Sequence, residues 1–331
     1  MLFAPAFSIP LLARKARPWY DVLEKPLQED IMKHQNRLTG YCFAAFTVVV
    51  WGSTFISSKV LLEFYTPAQI MLTRFILAYC ALWLLRPKRL TLTLKQEGIF
   101  FLLGLLGCTA YFYTENTALS YTLASNVSII VAAAPIFTAI LAHFAGEERF
   151  RASTLAGFLV AFSGVILVVC NGTFVLKLNP KGDLLALAAA VCWAIYSVLL
   201  RRASRGLDSI LVTRRTMFWG IVTALPLVAA EGVPYPTAPL MTASGIANFL
   251  FLGLVGSALC FVLWNKAFRI LGVVTTNTFI YLMPFITIVA ARIFLDEPIS
   301  PLALLGAVLI TAGVVLSQRP SPAEKAQRAA S

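Results

Sequence analysis

Charge is what this 331-residue chain has least of. Asp, Glu, Lys and Arg make up 13% of it, while 59% is hydrophobic. A soluble domain is about 25% charged and roughly 45–50% apolar. That imbalance excludes an ordinary water-soluble globule, and the high hydrophobicity excludes a disordered chain. Histidine is nearly absent, with only His34 and His143. The six cysteines (Cys42, Cys80, Cys108, Cys170, Cys192 and Cys260) stand singly in apolar runs, with no CxxC. They read as small buried hydrophobes, and with two histidines they do not make a metal site. The motifs HExxH, GxSxG and GxxxxGKS/T are missing too. This argues against a zinc protease, a serine hydrolase and a built-in ATP motor. The chain is therefore expected not to be an enzyme and to need no cofactor or metal.

What is present is apolar sequence in lengths that suit a bilayer. Mean hydropathy is +0.81. A spanning helix needs about 20 apolar residues. Ten such runs are legible: 40–61, 67–86, 97–119, 123–145, 153–171, 182–201, 209–230, 242–268, 272–295 and 300–318. They predict an all-α polytopic membrane protein of ten transmembrane helices. Residues 1–38 differ: Arg14, Lys15, Arg17, Lys25, Lys33 and Arg37 alternate with prolines and acids. Their charge follows the short apolar stretch, the wrong order for a signal peptide. The expectation is a disordered or loosely surface-bound N-terminal tail, with Met32 as a second candidate start.

The net charge of +12 would suggest nucleic acid in a soluble protein. Here Lys and Arg collect in alternate connections: the N-terminal tail, 86–95, 149–151, 201–205, Arg269 and the tail 319–331. The intervening loops hold little beyond Lys177 and Lys181. Positive residues stay cytoplasmic, so both termini are placed in the cytoplasm, as an even span count requires, with no nucleic-acid partner. The expected setting is a bacterial inner, or plasma, membrane.

The second half repeats the first. At an offset of 149, Gly104 and Gly107 meet Gly253 and Gly256, Phe112 meets Phe261, and Asn116 meets Asn265. Pro135 meets Pro284, and Gly157 and Gly164 meet Gly306 and Gly313. Upstream the offset is 142, pairing Trp51 with Trp193 and Lys59 with Arg201. Each half, 40–171 and 182–318, thus holds five spans. Because five is odd, the second half enters the membrane from the opposite side. Inverted repeats of this kind are a signature of alternating-access transporters.

Trp51-Gly52-Ser53-Thr54-Phe55 with Lys59, Arg74-Phe75, Pro135, Gly146-Glu147-Glu148 and the glycines of span five together resemble the EamA family of the drug/metabolite transporter superfamily. The second half follows the pattern more loosely, with Asp296-Glu297-Pro298 where a Gly-Glu pair is usual. The resemblance covers residues 40–318. It implies ten helices and carriage of small metabolites, often amino acids, with export favoured; it does not fix the solute.

Transporters with inverted repeats bind substrate near the midplane. Trp51 and Thr54 of span one, Tyr111 of span three, Trp193 and Tyr196 of span six, Asn126 of span four, and Asn277 and Tyr281 of span nine lie near that depth. Aromatic faces with a few hydroxyls and amides suit a small amphipathic ligand. Packing between helices is the competing reading of both tryptophans. Pro135 and Pro284 are expected to kink spans four and nine. A charged residue at a helix centre is unfavourable by about 2.5–3.5 kcal/mol, so those inside spans are functional candidates. Lys59, Lys266 and Arg292 lie near span ends and can snorkel. Arg74 and Glu115 lie deeper, at one level, as an outer gate, a proton-responsive pair or a permanent ion pair. Arg214 takes in span seven the place of Arg74, facing a substrate anion or anchoring at the interface.

The reading is a secondary transporter of small organic metabolites such as amino acids, in the lipid bilayer, as monomer or homodimer. Coupling to H⁺ is left open. A sugar-phosphate or nucleotide-sugar carrier using Arg74 and Arg214 as anion clamps is the alternative within transport. A sensor or scaffold is the alternative outside it.

Overall fold

A computed structural model of the chain describes residues 18–122, 124–146, 152–170, 180–237, 242–295 and 301–317. Helices and short connections account for these residues, and no strand occurs among them. The chain divides into two compact units, residues 1–39 and 40–331. In the first, the backbone from Pro18 onward is helical. Pro18 suits the first turn of a helix, and Leu, Glu, Lys, Gln and Met fill much of the stretch behind it. Residues 1–17 lie outside the described residues.

The second unit is a helical bundle. Six stretches are long and apolar enough to cross a membrane: Asn36–Leu61, Pro67–Leu85, Leu94–Tyr121, Pro180–Ala203, Ala243–Leu271 and Val273–Phe294. They are spans one, two, three, six, eight and nine. Span four is two helices, Ala124–Val131 and Ala134–Phe144. Span five is Ala152–Cys170 and span ten is Pro301–Ser317. Span seven, Ser209–Glu231, carries Arg214 and Arg215 in its first two turns. In lipid every backbone polar group must be satisfied internally, which is why the apolar runs become helices. The chain is an all-α polytopic integral membrane protein.

Local signals set the helix ends. Thr66 and Thr93 each form a capping box with the glutamine three residues on, Gln69 and Gln96, and Pro67 occupies the first turn of span two. Asp208 accepts hydrogen bonds from the Ile210 and Leu211 amides at the head of span seven. That span ends at Gly232, whose φ of 61° is open to glycine and unfavourable for most other residues.

Three departures from regular helix matter for the site. Span three turns π-helical over Leu105–Ala110, and span eight does so over Phe251–Leu259. These stretches overlap at the 149-residue offset. Span four breaks at Ala132–Ala133, and Pro135 sits in the first turn of the helix that resumes. Span nine breaks likewise: a short helix Val273–Asn277, a 3-10 stretch Thr278–Leu282, then a helix from Met283 with Pro284 in its first turn. At both prolines the regular α-helix is thus interrupted and restarts, and a proline in the first turn of the restarted helix forfeits no hydrogen bond.

Another contact also occurs twice. Lys59 Nζ donates to the carbonyls of Leu119 and Thr122 at the end of span three. Arg201 Nη1 donates to the Phe268 carbonyl near the end of span eight. Leu119 and Phe268 are themselves 149 residues apart. Both cations sit at the C-terminal end of a helix, where the last carbonyls carry negative partial charge. Lys59 therefore caps a helix instead of snorkelling freely.

Spans five and ten pack on each other through small residues. A methyl group on Gly164 would lie 2.6 Å from the Gly306 carbonyl oxygen, and one on Gly313 would lie 2.4 Å from the Ala161 nitrogen. Small residues let membrane helices approach this closely. That glycine face is occupied within one chain.

Candidate functional site

A narrow cavity of about 20 Å³, room for a single water, lies among spans one, three, four, six and nine. Trp51 and Thr54, then Tyr111, Phe112 and Glu115, then Val131, Trp193, Ile280 and Met283 line it. Both sequence halves contribute.

Each tryptophan is fixed by a hydrogen bond, the first crossing between halves and the second within the second half. Trp51 Nε1 donates to the Gly256 carbonyl at 2.9 Å, inside the π-helical stretch of span eight. Trp193 Nε1 donates to Asn277 Oδ1 at 2.9 Å, in the short helix of span nine. The two rings meet edge to face, with centroids 5.1 Å apart and planes at 89°. The offset mates Phe112 and Phe261 also lie near each other, at 6.2 Å. Trp264 packs against Trp51 at 4.9 Å, with the planes tilted by 50°. A buried indole needs a partner for its N–H; Trp51 and Trp193 each find one, so both rings are held in a single pose, while the Trp264 N–H has none. The tryptophans therefore do both things weighed for them, packing helices together and presenting faces to the cavity.

Polar groups at the cavity are few. Tyr111 donates its phenolic hydrogen to Glu115 Oε1 at 2.8 Å, one helical turn along span three. Thr54 Oγ1 donates to the Trp51 carbonyl at 2.6 Å. Glu115 is the one charged side chain among the lining residues.

Arg74 does not meet Glu115. No ion pair joins them among the described residues. Arg74 is 1% exposed, donates from Nε to Ser257 Oγ at 2.9 Å, and lays its guanidinium 4.2 Å from the centre of the Phe112 ring. Its Nη1 and Nη2 have no hydrogen-bond partner. The direct pair anticipated from depth alone is replaced by a cation over an aromatic face, with the ring that carries it lining the cavity. An unsatisfied buried guanidinium is costly and uncommon.

The other candidates scatter. Tyr196 packs against Trp193 at 5.2 Å and covers Gly107, where a methyl group would lie 2.1 Å from its ring; it braces the cavity wall from outside. Asn277 acts through the Trp193 ring. Tyr281 points away from the cavity: it is fully buried against Phe158 of span five at 5.9 Å. The side chain of Asn126 lies outside the described residues. Arg214, 6% exposed, donates to the carbonyls of Arg86 and Lys88 and lies 4.6 Å from the Trp83 ring, far along the chain from any cavity residue. It ties the end of span two to the head of span seven. Phe112 is the residue that sequence reading passed over. Its signal was the match to Phe261 at the common offset. Among the described residues no group of three His, Cys, Asp or Glu could hold a metal.

Comparison with known proteins places this architecture. A protein of Streptantibioticus cattleyicolor named "Probable terminal-alkyne amino-acid exporter" is 31% identical over 82% of this chain and 91% of its own. A Salmonella typhimurium protein named "Probable amino-acid metabolite efflux pump" is 26% identical over 85% of this chain and 95% of its own. A solved crystal structure matches the fold with a TM-score of 0.66 and 19% identity, covering 86% of this chain and 96% of its own. The profile of the EamA-like transporter family matches twice, over residues 38–170 and again over 180–318. The chain belongs to the EamA-like transporter family.

Proposed function

We propose that the protein exports small amphipathic metabolites, amino acids and their relatives, by alternating access between two inverted halves. It works in the bacterial inner membrane with both termini in the cytoplasm. The observation that carries this reading is the cavity at the meeting of Trp51 and Trp193, built from both halves and walled mostly by aromatic and aliphatic side chains. Trp51, Thr54, Tyr111, Phe112 and Trp193 contact the solute's apolar part. Glu115 supplies the one charge: it accepts an amino group, or a proton in its place. The names of the two exporter relatives support the solute class and the direction. A phosphorylated sugar fits poorly, since a carboxylate and no cation lines the cavity.

The experiment is flux in proteoliposomes, with a panel of amino acids and related metabolites offered with and without a pH gradient. Flux of one amphipathic class is expected. Glu115→Gln is expected to remove any acceleration by the gradient. Wild-type rate and unchanged pH response in Glu115→Gln would sink the coupling role. Flux confined to phosphorylated solutes would sink the substrate class.

A further inference from the structure

A second cavity, about 310 Å³, lies at the C-terminal end of span two. Tyr79 and Trp83 of span two, Arg89 of the following connection, and Arg214, Arg215 and Phe218 of span seven form it. It touches none of the residues of the central cavity and serves no step of the transport reading. Two of its three cations are held in place. Arg215 makes a two-pronged ion pair with Glu97, Nε to Oε2 at 2.9 Å and Nη2 to Oε1 at 2.6 Å. Arg214 is fixed by the backbone carbonyls of Arg86 and Lys88. Arg89 is exposed and has no partner among the described residues. The pocket is therefore a basic recess with one exposed, unpaired cation among the described residues.

The walls point to what enters it. Tyr79, Trp83 and Phe218 are amphipathic or aromatic rings of the kind that line a headgroup boundary. From the recess, two apolar tracks run outward along the bundle. Ile76, Cys80 and Leu84 are exposed on one face of span two, at spacings of four. Val222 and Leu225 are exposed on span seven, four and seven residues beyond Phe218. Spans two and seven pack side by side, with the Tyr79 and Phe218 rings 6.2 Å apart between them. A free phosphate or carboxylate would use only the arginines. A molecule with an anionic head and long apolar tails would use the whole surface.

We propose that this recess is a specific binding site for an anionic phospholipid, its phosphate on Arg89 and Arg215 and its acyl chains along the exposed faces of spans two and seven. Basic pockets between membrane helices near the cytoplasmic surface are suited to such headgroups. The lipid would clamp the connection 86–93 to the head of span seven, bridging the first half to the second. The inference is independent of which solute is carried.

The test is native mass spectrometry of the full-length, delipidated protein in a neutral detergent. Three probes are titrated: phosphatidylglycerol, phosphatidylcholine with the same acyl chains, and glycerol 1-phosphate. Phosphatidylglycerol is expected to bind about tenfold more tightly than phosphatidylcholine. Arg89→Gln is expected to weaken phosphatidylglycerol about fivefold and leave phosphatidylcholine unchanged. Arg205→Gln, at an exposed basic position outside the recess, is the control and should change neither. No preference between the two lipids overturns the site. So does a preference that Arg89→Gln leaves intact, or one that Arg205→Gln reduces equally. Glycerol 1-phosphate binding as tightly as the lipid would make this a free-anion site and overturn the lipid assignment.

Discussion

Arg74 and Arg214 hold matching places in the two halves and meet opposite conditions. Arg214 is tied down by two backbone carbonyls and a tryptophan face. Arg74 is deeper, has a single hydrogen bond to Ser257, and leaves two nitrogens without partners. The same contrast appears one layer away. Asn265 Nδ2 donates to Thr213 Oγ1 at 2.8 Å in the second half. In the first half Asn116 is buried with both polar atoms unpaired, and Thr73 instead lies 3.4 Å from the Tyr235 hydroxyl. A sequence with internal symmetry has thus folded into two ends that differ. On the transport reading, the second half holds its contacts closed while the first keeps polar groups in reserve.

The sharpest way to break this contrast is to neutralise each arginine. Arg74→Gln should lower solute flux at least about tenfold in protein that still folds, because a buried charge beside the cavity is removed. Arg214→Gln should act on stability, lowering the melting temperature while flux per folded molecule stays within about threefold. Equal loss of flux would erase the distinction. Next in size is the glycine at the span-three π turn. Gly107→Ala should destabilise by about 1–3 kcal/mol, since the added methyl meets the Tyr196 ring. Gly256→Ala, its mate, should be milder, because the nearest atoms are Thr54 Cγ2 at 3.1 Å and Arg74 Nη2 at 3.4 Å. Thermal unfolding of the pair decides it.

A double-mutant cycle sharpens the comparison further. Asn265 and Thr213, each replaced by alanine and valine respectively, should couple by about 1 kcal/mol. The cycle on Asn116 and Thr73 should give a value near zero in the same state. A similar coupling in both halves would contradict the asymmetry. The smallest effect belongs to the symmetric caps: Lys59→Gln and Arg201→Gln should each lose about 0.3–1 kcal/mol, and by similar amounts. A large difference between them would show that the two helix ends are not equivalent.

Much of this was legible in the residues. The bilayer forces apolar runs into helices, so run length and the positions of Arg, Pro and Gly gave spans close to those observed. Trp51, Thr54, Tyr111 and Trp193 were found at midplane depth and do line one cavity. Tyr281 misled because it lies in the 3-10 stretch Thr278–Leu282. That stretch resets the helical phase, so depth was readable but facing was not. The Arg74–Glu115 pair misled for a related reason. Sequence gives depth and charge, but not the Phe112 ring that takes the guanidinium. In spans four and nine the prolines fall where the regular helix is interrupted. The π turns had only the paired glycines 104, 107, 253 and 256 as a trace.

Those π turns reach beyond the site. Each makes room for a residue that an ordinary turn would not hold, rotating everything after it by roughly 100° relative to an uninterrupted helix. A helical wheel drawn straight through span three would therefore be out of register by the time it reaches Glu115. Cysteine-labelling scans along spans three and eight should accordingly show two periodic patterns, each regular, offset from one another near residues 105–110 and 251–259.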